Sequence, residues 1–353
     1  MFSIGYDFNQ RRLTKEQVEK MLNGIPWIEV PIIKSQLFFS FGLLLPTPRS
    51  FLTLIKLAKN SDVIHIEIGN GLDLIIFLVK IITNRPVATG ILSPFFFGSK
   101  IRDIYTRTLW KFVTKHFEGK QVMNSIYENL LKSWNFSGIY RIESGVNLRS
   151  FSSNIPRDKN NIFKVLYVGR LARQKGTDIL IDAIEKVKEL PESKDIEFRI
   201  MGTGPYYDVL HKLQKDTKVK ILGYLPDEAL VSEYINCDLV VCPSRQEGFS
   251  LTVLEGCASG KPIVATNIPG LHEVVKNDVN GVLTNPSDPS SFSGGILKMY
   301  RIWKNDYARY QRLGKASREI AKEYSWDSIA DKTERMFIDI VRKNKRTKRR
   351  KDL

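Results

Sequence analysis

The stretch Pro243-Ser244-Arg245-Gln246-Glu247-Gly248-Phe249-Ser250-Leu251-Thr252-Val253-Leu254-Glu255-Gly256-Cys257-Ala258-Ser259-Gly260-Lys261-Pro262 carries two carboxylates, Glu247 and Glu255, with seven residues between them. The apolar run Leu239, Val240, Val241 and Cys242 leads into it and reads as a strand, so Glu247 falls just past a strand's carboxyl end. In open α/β sheets that edge is where ligands bind. Gly248, Phe249 and Ser250 read as a turn opening a short helix. Its unpaired N–H groups and positive dipole end suit an anion.

Around this stretch, short apolar runs alternate with helical patterns. The second half gives strands at Lys164–Val168, Glu197–Met201, Val219–Leu222, Leu239–Cys242 and Pro262–Thr266, with a run ending at Val282–Leu283. Helical patterns cover Asp178–Lys188, Tyr206–Lys215 and Glu228–Ile235, and one follows Ser250. The first half gives strands at Phe2–Gly5, Trp27–Ile33, Val63–Ile68, Pro86–Ile91, Val122–Asn124 and Tyr140–Glu143. Helices are expected near Lys15–Leu22, Arg49–Ala58, Gly71–Ile82, Lys100–Thr114 and Ile126–Ser133. Strands and helices alternating at this spacing imply βαβ units and parallel sheets. The fold class is therefore α/β, with two Rossmann-like domains facing across a cleft.

The expected organisation is an N-terminal acceptor domain over 1–150, a polar linker over 151–161 and a donor domain over 162–320. A closing helix over 321–341 has Ile329, Thr333, Met336, Phe337, Ile340 and Val341 on one face at helical spacing. It is expected to pack back on the N-terminal domain, and a basic tail over 342–353 follows.

The chain has 353 residues, 42% hydrophobic and 26% charged, which suits a globular protein of two domains and excludes a disordered one. The three cysteines, Cys237, Cys242 and Cys257, share no metal-binding spacing and read as buried apolar residues in a reducing compartment. The histidines are scattered, so no protein-held metal is expected. His65 reads as a core histidine. No stretch reaches about 18 uncharged apolar residues, so no membrane span is expected. The expectation is a cytoplasmic protein, peripheral to the membrane.

The net charge is +16, and Arg342–Lys351 holds eight basic residues without an acid. Two readings stand for this tail: a frayed solvated end, or attraction to an anionic surface. The basic and aromatic residues Phe95, Phe96, Phe97, Lys100, Arg102, Arg107 and Lys111 add a surface of the second kind. An anionic membrane is the partner they point to, and no nucleic acid is expected.

Gly169-Arg170-Leu171-Ala172-Arg173-Gln174-Lys175-Gly176 follows a strand directly but lacks the glycine spacing of a Walker loop. Arg170 and Lys175 offer charge-assisted bonds to a diphosphate; a solvated basic loop is the plainer alternative. Gly202-Thr203-Gly204-Pro205 after the next strand lets backbone approach a phosphate, or is an ordinary tight turn. Thr252-Val253-Leu254-Glu255 fits a capping box, which would leave Glu255 bonding its own helix start. Glu247 has no such local explanation.

From Val165 to about Pro289 the chain resembles the donor domain of the family-four retaining glycosyltransferases, which have the GT-B fold. The matching pieces, in order, are Gly169-Arg170-Leu171 with Lys175-Gly176, Gly202-Thr203-Gly204-Pro205, and Leu222-Gly223-Tyr224-Leu225-Pro226-Asp227-Glu228. Then come Pro243-Ser244 with Glu247-Gly248-Phe249 and Glu255 (the E-x7-E signature), Gly260-Lys261-Pro262, and Asn280-Gly281-Val282-Leu283. Ser144-Gly145-Val146-Asn147 resembles the entry to the linker and Ser325-Trp326 the closing helix.

The resemblance implies transfer of a hexose-like sugar from a nucleoside-diphosphate sugar to a lipid-linked, glycan or envelope acceptor, with retention. It assigns Arg170 and Lys175 to the diphosphate and Glu247 to the sugar hydroxyls. Glu255 would meet the ribose, and backbone at Tyr224 and Leu225 the base. Gly202, Gly204, Gly248, Phe249 and Ser250 complete the implied donor site. No cofactor and no obligatory metal are implied.

Two features depart from the family pattern. The loop Tyr6–Arg12 lacks its paired glycines, and Pro86–Ser93 lacks its histidine. Three other activities remain distinguishable by assay. A nucleotide-sugar-binding protein would not release diphosphate, and a nucleic-acid binder would depend on the tail. A glycosidase using Glu247 and Glu255 would need no nucleotide.

Overall fold

The computed structural model describes residues 46–67, 73–91, 100–151, 161–214 and 217–351, with backbone alone at 67, 100–107 and 348–351. The elements expected at Phe2–Gly5, Lys15–Leu22 and Trp27–Ile33, the loop Tyr6–Arg12, and Phe95–Phe97 lie outside these residues. So does most of the expected linker, residues 152–160. The chain divides into two compact units, 1–120 with 339–353, and 121–338.

In the first unit, helix α1 (Pro48–Lys59) precedes strand β1 (Ile64–Glu67), and helix α2 (Asp73–Thr83) precedes strand β2 (Val87–Ile91). β1 and β2 pair in parallel. Every residue of β2 is buried, as expected of a parallel strand covered on both faces. Helix α3 (Lys100–Lys115) leads to β3 (Gly119–Val122), after whose second residue the second unit begins, so that α4 (Ser125–Ser133) and β4 (Ile139–Arg141) belong to the second unit. The strand order of this sheet is β1-β2-β3-β4. His65 on β1 is exposed, which corrects the expectation of a core histidine. Its ring is still crowded enough that desolvation lowers its pKa.

The second unit is built on six parallel strands. These are β5 (Phe163–Val168), β6 (Ile196–Met201), β7 (Val219–Gly223), β8 (Leu239–Cys242), β9 (Ile263–Thr266) and β10 (Gly281–Thr284). Their order is β10-β9-β8-β5-β6-β7, with parallel pairing throughout. The chain runs outward from β5 to β7 and then returns to the other side of β5 as β8. Between β5 and β8 the direction of winding reverses, and at such a switch point the loops after the two strands diverge and leave a crevice.

Helices cover both faces of this sheet. Phe163, Val165 and Tyr167 of β5 pack with Ile179, Leu180 and Ile184 of α5 (Thr177–Lys188). On the opposite face Leu166 joins Val253, Leu254 and Cys257 of a later helix. The alternation along β5 is the period-2 geometry of a strand sorting its side chains. Helices α6 (Tyr207–Leu213), α7 (Asp227–Asn236) and α8 (Leu251–Ala258) follow β6, β7 and β8.

Two long helices, α9 (Pro289–Asn305) and α10 (Tyr307–Lys322), were not expected from the sequence. The last helix, α11, runs from Trp326 to Lys351. It buries Ile329, Met336 and Ile340 of the expected face. The basic segment continues α11 as helix to Lys351. Arg342, Lys343, Lys345 and Arg346 are exposed along it. The three cysteines are buried and unpaired by disulfide. Among the described residues no helix is long and apolar enough to cross a membrane.

Candidate functional site

The sequence-selected residues of the second unit converge on the switch point. After β5, the loop Gly169–Gly176 ends in a 3-10 turn, Arg173–Lys175, capped by Gly176 at φ 66°. A Cβ at Gly176 would lie 1.9 Å from the carbonyl oxygen of Pro243. Only glycine permits that left-handed backbone and that approach. The contact joins the loop after β5 to the loop after β8.

This junction brings Lys175 onto Glu247. The Lys175 Nζ donates to Glu247 Oε1 at 2.7 Å and Oε2 at 2.9 Å. Ser244 Oγ donates to Oε1 at 2.7 Å. The Glu247 side chain is 8% exposed, so its charge depends on these partners. Two of the three ammonium protons are engaged and one remains for a further anion. Arg170 is exposed on the carboxyl side of β5.

Arg245 and Asp178, which the sequence reading did not single out, lock the same two loops together. The guanidinium bonds Asp178 Oδ1 at 2.6 Å and Oδ2 at 2.8 Å, in the fork geometry special to arginine. It also donates to the Arg173 carbonyl at 2.7 Å, while Arg245 N donates to Gln174 O at 2.9 Å. Burial alone would raise the Asp178 pKa, but the bonds and charge of Arg245 hold it below the usual carboxylate value. The only sequence signal was position: Arg245 sits two residues before Glu247 and Asp178 two after Gly176.

Glu255 stands apart. The N-cap of α8 is Ser250, whose Oγ accepts from Val253 N at 3.4 Å. Thr252 donates instead to the Val168 carbonyl at 3.1 Å. The capping-box alternative for Thr252 and Glu255 is therefore corrected: the helix begins two residues earlier, and Glu255 does not cap it. Glu255 is half-buried within α8, and burial raises its pKa. Tyr234 opposes that rise and Asp227 adds to it. The fully buried Tyr234 hydroxyl lies beside Glu255 without reaching ordinary hydrogen-bond geometry.

Between the two carboxylates the backbone is open. Among the described residues the N–H groups from Gly248 to Thr252 meet no acceptor. Half-buried backbone donors normally find a partner in protein, water or ligand. Consecutive N–H groups at a helix N-terminus form a ready anion site. Phe249 rests on Tyr324 with ring centroids 5.4 Å apart.

The loops after β6 and β7 line up alongside. Gly169 N donates to Met201 O at 3.0 Å, Leu171 N to Thr203 O at 2.9 Å, and Gly202 N to Gly223 O at 2.8 Å. Gly202 and Gly204 are thereby held next to the Arg170 loop, with Tyr224 and Leu225 one strand further out. Tyr224 is 83% exposed, an open aromatic surface at the strand end.

A family described as Glycosyl transferases group 1 matches residues 149–320, the segment that holds every one of these loops. An uncharacterized glycosyltransferase of Methanocaldococcus jannaschii is 32% identical over 213 residues, 59% of this chain and 52% of that protein. The chain spans about half the length of the curated relatives it matches. Among solved structures, a glycosyltransferase from Rickettsia africae superposes with a TM-score of 0.74 at 19% identity, covering 96% of this chain and 89% of that one. An Anabaena protein solved with UDP and glucose gives 0.68 at 20% identity, covering 91% and 89%. At that identity these likenesses establish the fold: GT-B, with two Rossmann-like domains.

Proposed function

We propose that this chain is a glycosyltransferase that moves a sugar from a nucleoside-diphosphate sugar to an acceptor hydroxyl, with retention at the anomeric carbon. The observation that carries the reading is the meeting of Lys175 and Glu247 at the switch point, beside a run of open backbone N–H groups. The bond between the anomeric carbon and the diphosphate oxygen breaks, its electron pair leaves with the phosphate, and the acceptor oxygen bonds the carbon. The acceptor proton leaves with the diphosphate or with solvent.

A diphosphate is a good leaving group when its charge is met. Arg170, the remaining proton of Lys175 and the α8 N-terminus meet it electrostatically, in fixed positions. The Lys175 ammonium and the Ser244 hydroxyl both donate to Glu247, so in this reading it serves as an acceptor for sugar hydroxyls rather than as a proton donor. That separates this site from a glycosidase, where one carboxyl must be protonated. Glu255 takes the ribose hydroxyls, and Tyr224 and Leu225 flank the base. With Glu247 already paired to an ammonium, the charge stabilisation comes from cations of the chain, and no obligatory metal enters the reading. The resemblance to the family-four retaining enzymes supports retention. The Anabaena neighbour's complex with UDP and glucose supports the donor class.

Two features support a peripheral membrane position with a lipid-linked, glycan or envelope acceptor. The net charge is +16, and α11 carries its basic segment as helix to Lys351. The buried free cysteines fit the cytoplasmic side. The decisive experiment incubates the protein with a panel of nucleotide sugars and a membrane extract, scoring nucleoside diphosphate release. Release with one donor supports transfer, and donor binding without release supports a binding protein. Flotation with anionic liposomes at low and high salt tests the membrane. Absence of binding in both conditions excludes it.

A further inference from the structure

Asn124 is 1% exposed and caps α4, with Oδ1 accepting from Tyr127 N at 3.0 Å. Its Nδ2 donates to the Gly248 carbonyl at 2.6 Å, across 124 residues of sequence. The neighbouring Ser125 N donates to Glu273 Oε1 at 2.7 Å. All four residues belong to the second unit. Both ends of the Asn124 amide are committed, the oxygen to an N–H and the nitrogen to a C=O, so only one orientation of the group satisfies both.

The Gly248 carbonyl shares its peptide plane with the Phe249 N–H. In a trans peptide these two groups point in opposite directions. Holding the carbonyl on Asn124 therefore aims the Phe249 N–H away from α4. That N–H is one of the open donors, and it lies two residues after Glu247 in the chain.

We propose that Asn124 is a positioning residue, setting the Gly248–Phe249 peptide so that the Phe249 N–H and the Glu247 carboxylate address the transferred sugar together. The proposal rests on the donor site described above. It also accounts for the residue type. Aspartate and serine cap helices as well as asparagine does, but aspartate has no proton for Gly248 and serine is too short to serve both partners. The capping role and the positioning role are thus separable by substitution.

The test compares Asn124→Ser and Asn124→Asp with the wild-type protein by amide hydrogen exchange and by binding of UDP-, GDP- and ADP-sugars with their free diphosphates. Exchange at Arg245, Val253 and Leu254, the hydrogen-bonded amides that flank the loop, is expected to accelerate about tenfold, the scale of one lost hydrogen bond, while that of α4 stays unchanged. Affinity for the bound nucleotide sugar falls about tenfold, while affinity for its free diphosphate stays within about twofold. Asn124→Ser guards against misfolding of the charged variant.

Unchanged exchange at Arg245, Val253 and Leu254 in Asn124→Ser overturns the proposal. So does an equal loss for sugar-bearing and sugar-free ligands alongside a lowered Tm, which would mark a cap and nothing more. If the wild-type protein binds no nucleotide sugar at all, the donor reading fails instead, and the exchange result still decides whether Asn124 governs the loop.

Discussion

Glu247 and Glu255 bracket one short stretch of chain, yet they occupy opposite kinds of environment. Glu247 lies in a loop, nearly buried, with an ammonium and a hydroxyl on its oxygens. Glu255 lies inside a helix against a buried tyrosine, with no cation bonded to it among the described residues and a raised pKa. In the first case the protein has already met the cost of the charge. In the second the charge remains exposed to desolvation, and a ligand hydroxyl would relieve it. The difference teaches that a symmetric-looking pair in sequence need not be a chemical pair: one carboxylate is held ready, the other waits for a partner.

Removing the cation should break this contrast most sharply. Lys175→Ala leaves Glu247 buried and unpaired and takes a positive charge from the site. Turnover is expected to fall about 10²–10³-fold, the usual scale for losing one electrostatic stabiliser. Stability should fall by about 2 kcal/mol, less than for a fully buried pair because Lys175 is partly exposed. Lys175→Ala combined with Glu247→Gln should recover much of that stability but none of the turnover. Near-native turnover in the single variant would overturn the site assignment. Chemical denaturation and diphosphate release measure the two effects.

Glu255→Gln probes the other side of the comparison, with an effect of about tenfold on donor affinity. Its stability signature runs the other way. A carboxylate whose folded pKa is raised binds its proton more tightly when folded, so its effect on stability turns unfavourable as pH rises past the unfolded value of about 4.3. Glutamine has no such titration. The variant should therefore have a Tm equal to wild type near pH 4 and higher than wild type near pH 7. A Tm lowered at every pH would mean that Glu255 supports its own helix after all.

The same physics explains what was legible in the sequence. Parallel strands buried on both faces are continuous apolar runs, so β8 and β9 stood out, while β6 showed as apolar residues alternating with Glu197 and Arg199; the loops at their carboxyl ends stood out with them. Helix α9 did not. It contains Gly294 and Gly295, which read as breakers. Yet a Cβ at Gly295 would lie 2.9 Å from Thr284 Cγ2 and 3.0 Å from Val264 Cγ1, so glycine there admits the helix onto the sheet. Propensity yielded to packing. The Arg245–Asp178 clamp and the Asn124 bond were hidden for a different reason. Each joins positions at least 67 residues apart, a separation over which local sequence pattern carries no signal. Glu255 looked like a cap because its spacing from Thr252 fits, whereas Ser250 had the better position at the turn.

The smallest expected effect sharpens the comparison rather than breaking it. Ser244→Ala removes one of the bonds to Glu247 Oε1 and leaves the Lys175 ion pair in place. If Glu247 is held ready mainly by the ammonium, turnover should fall only about three- to tenfold, the worth of one ordinary hydrogen bond, because the ion pair still meets the charge. Ser244 Oγ also accepts from the buried Cys242 thiol at 3.5 Å, so the substitution leaves a weak donor unsatisfied and should lower stability slightly. Kinetics should place the loss in kcat and in the sugar-dependent part of KM, with affinity for the free diphosphate unchanged. A loss as large as that of Lys175→Ala would make the hydroxyl an equal partner of the ammonium. Glu247 would then owe its orientation to the loop after β8 itself as much as to the loop after β5.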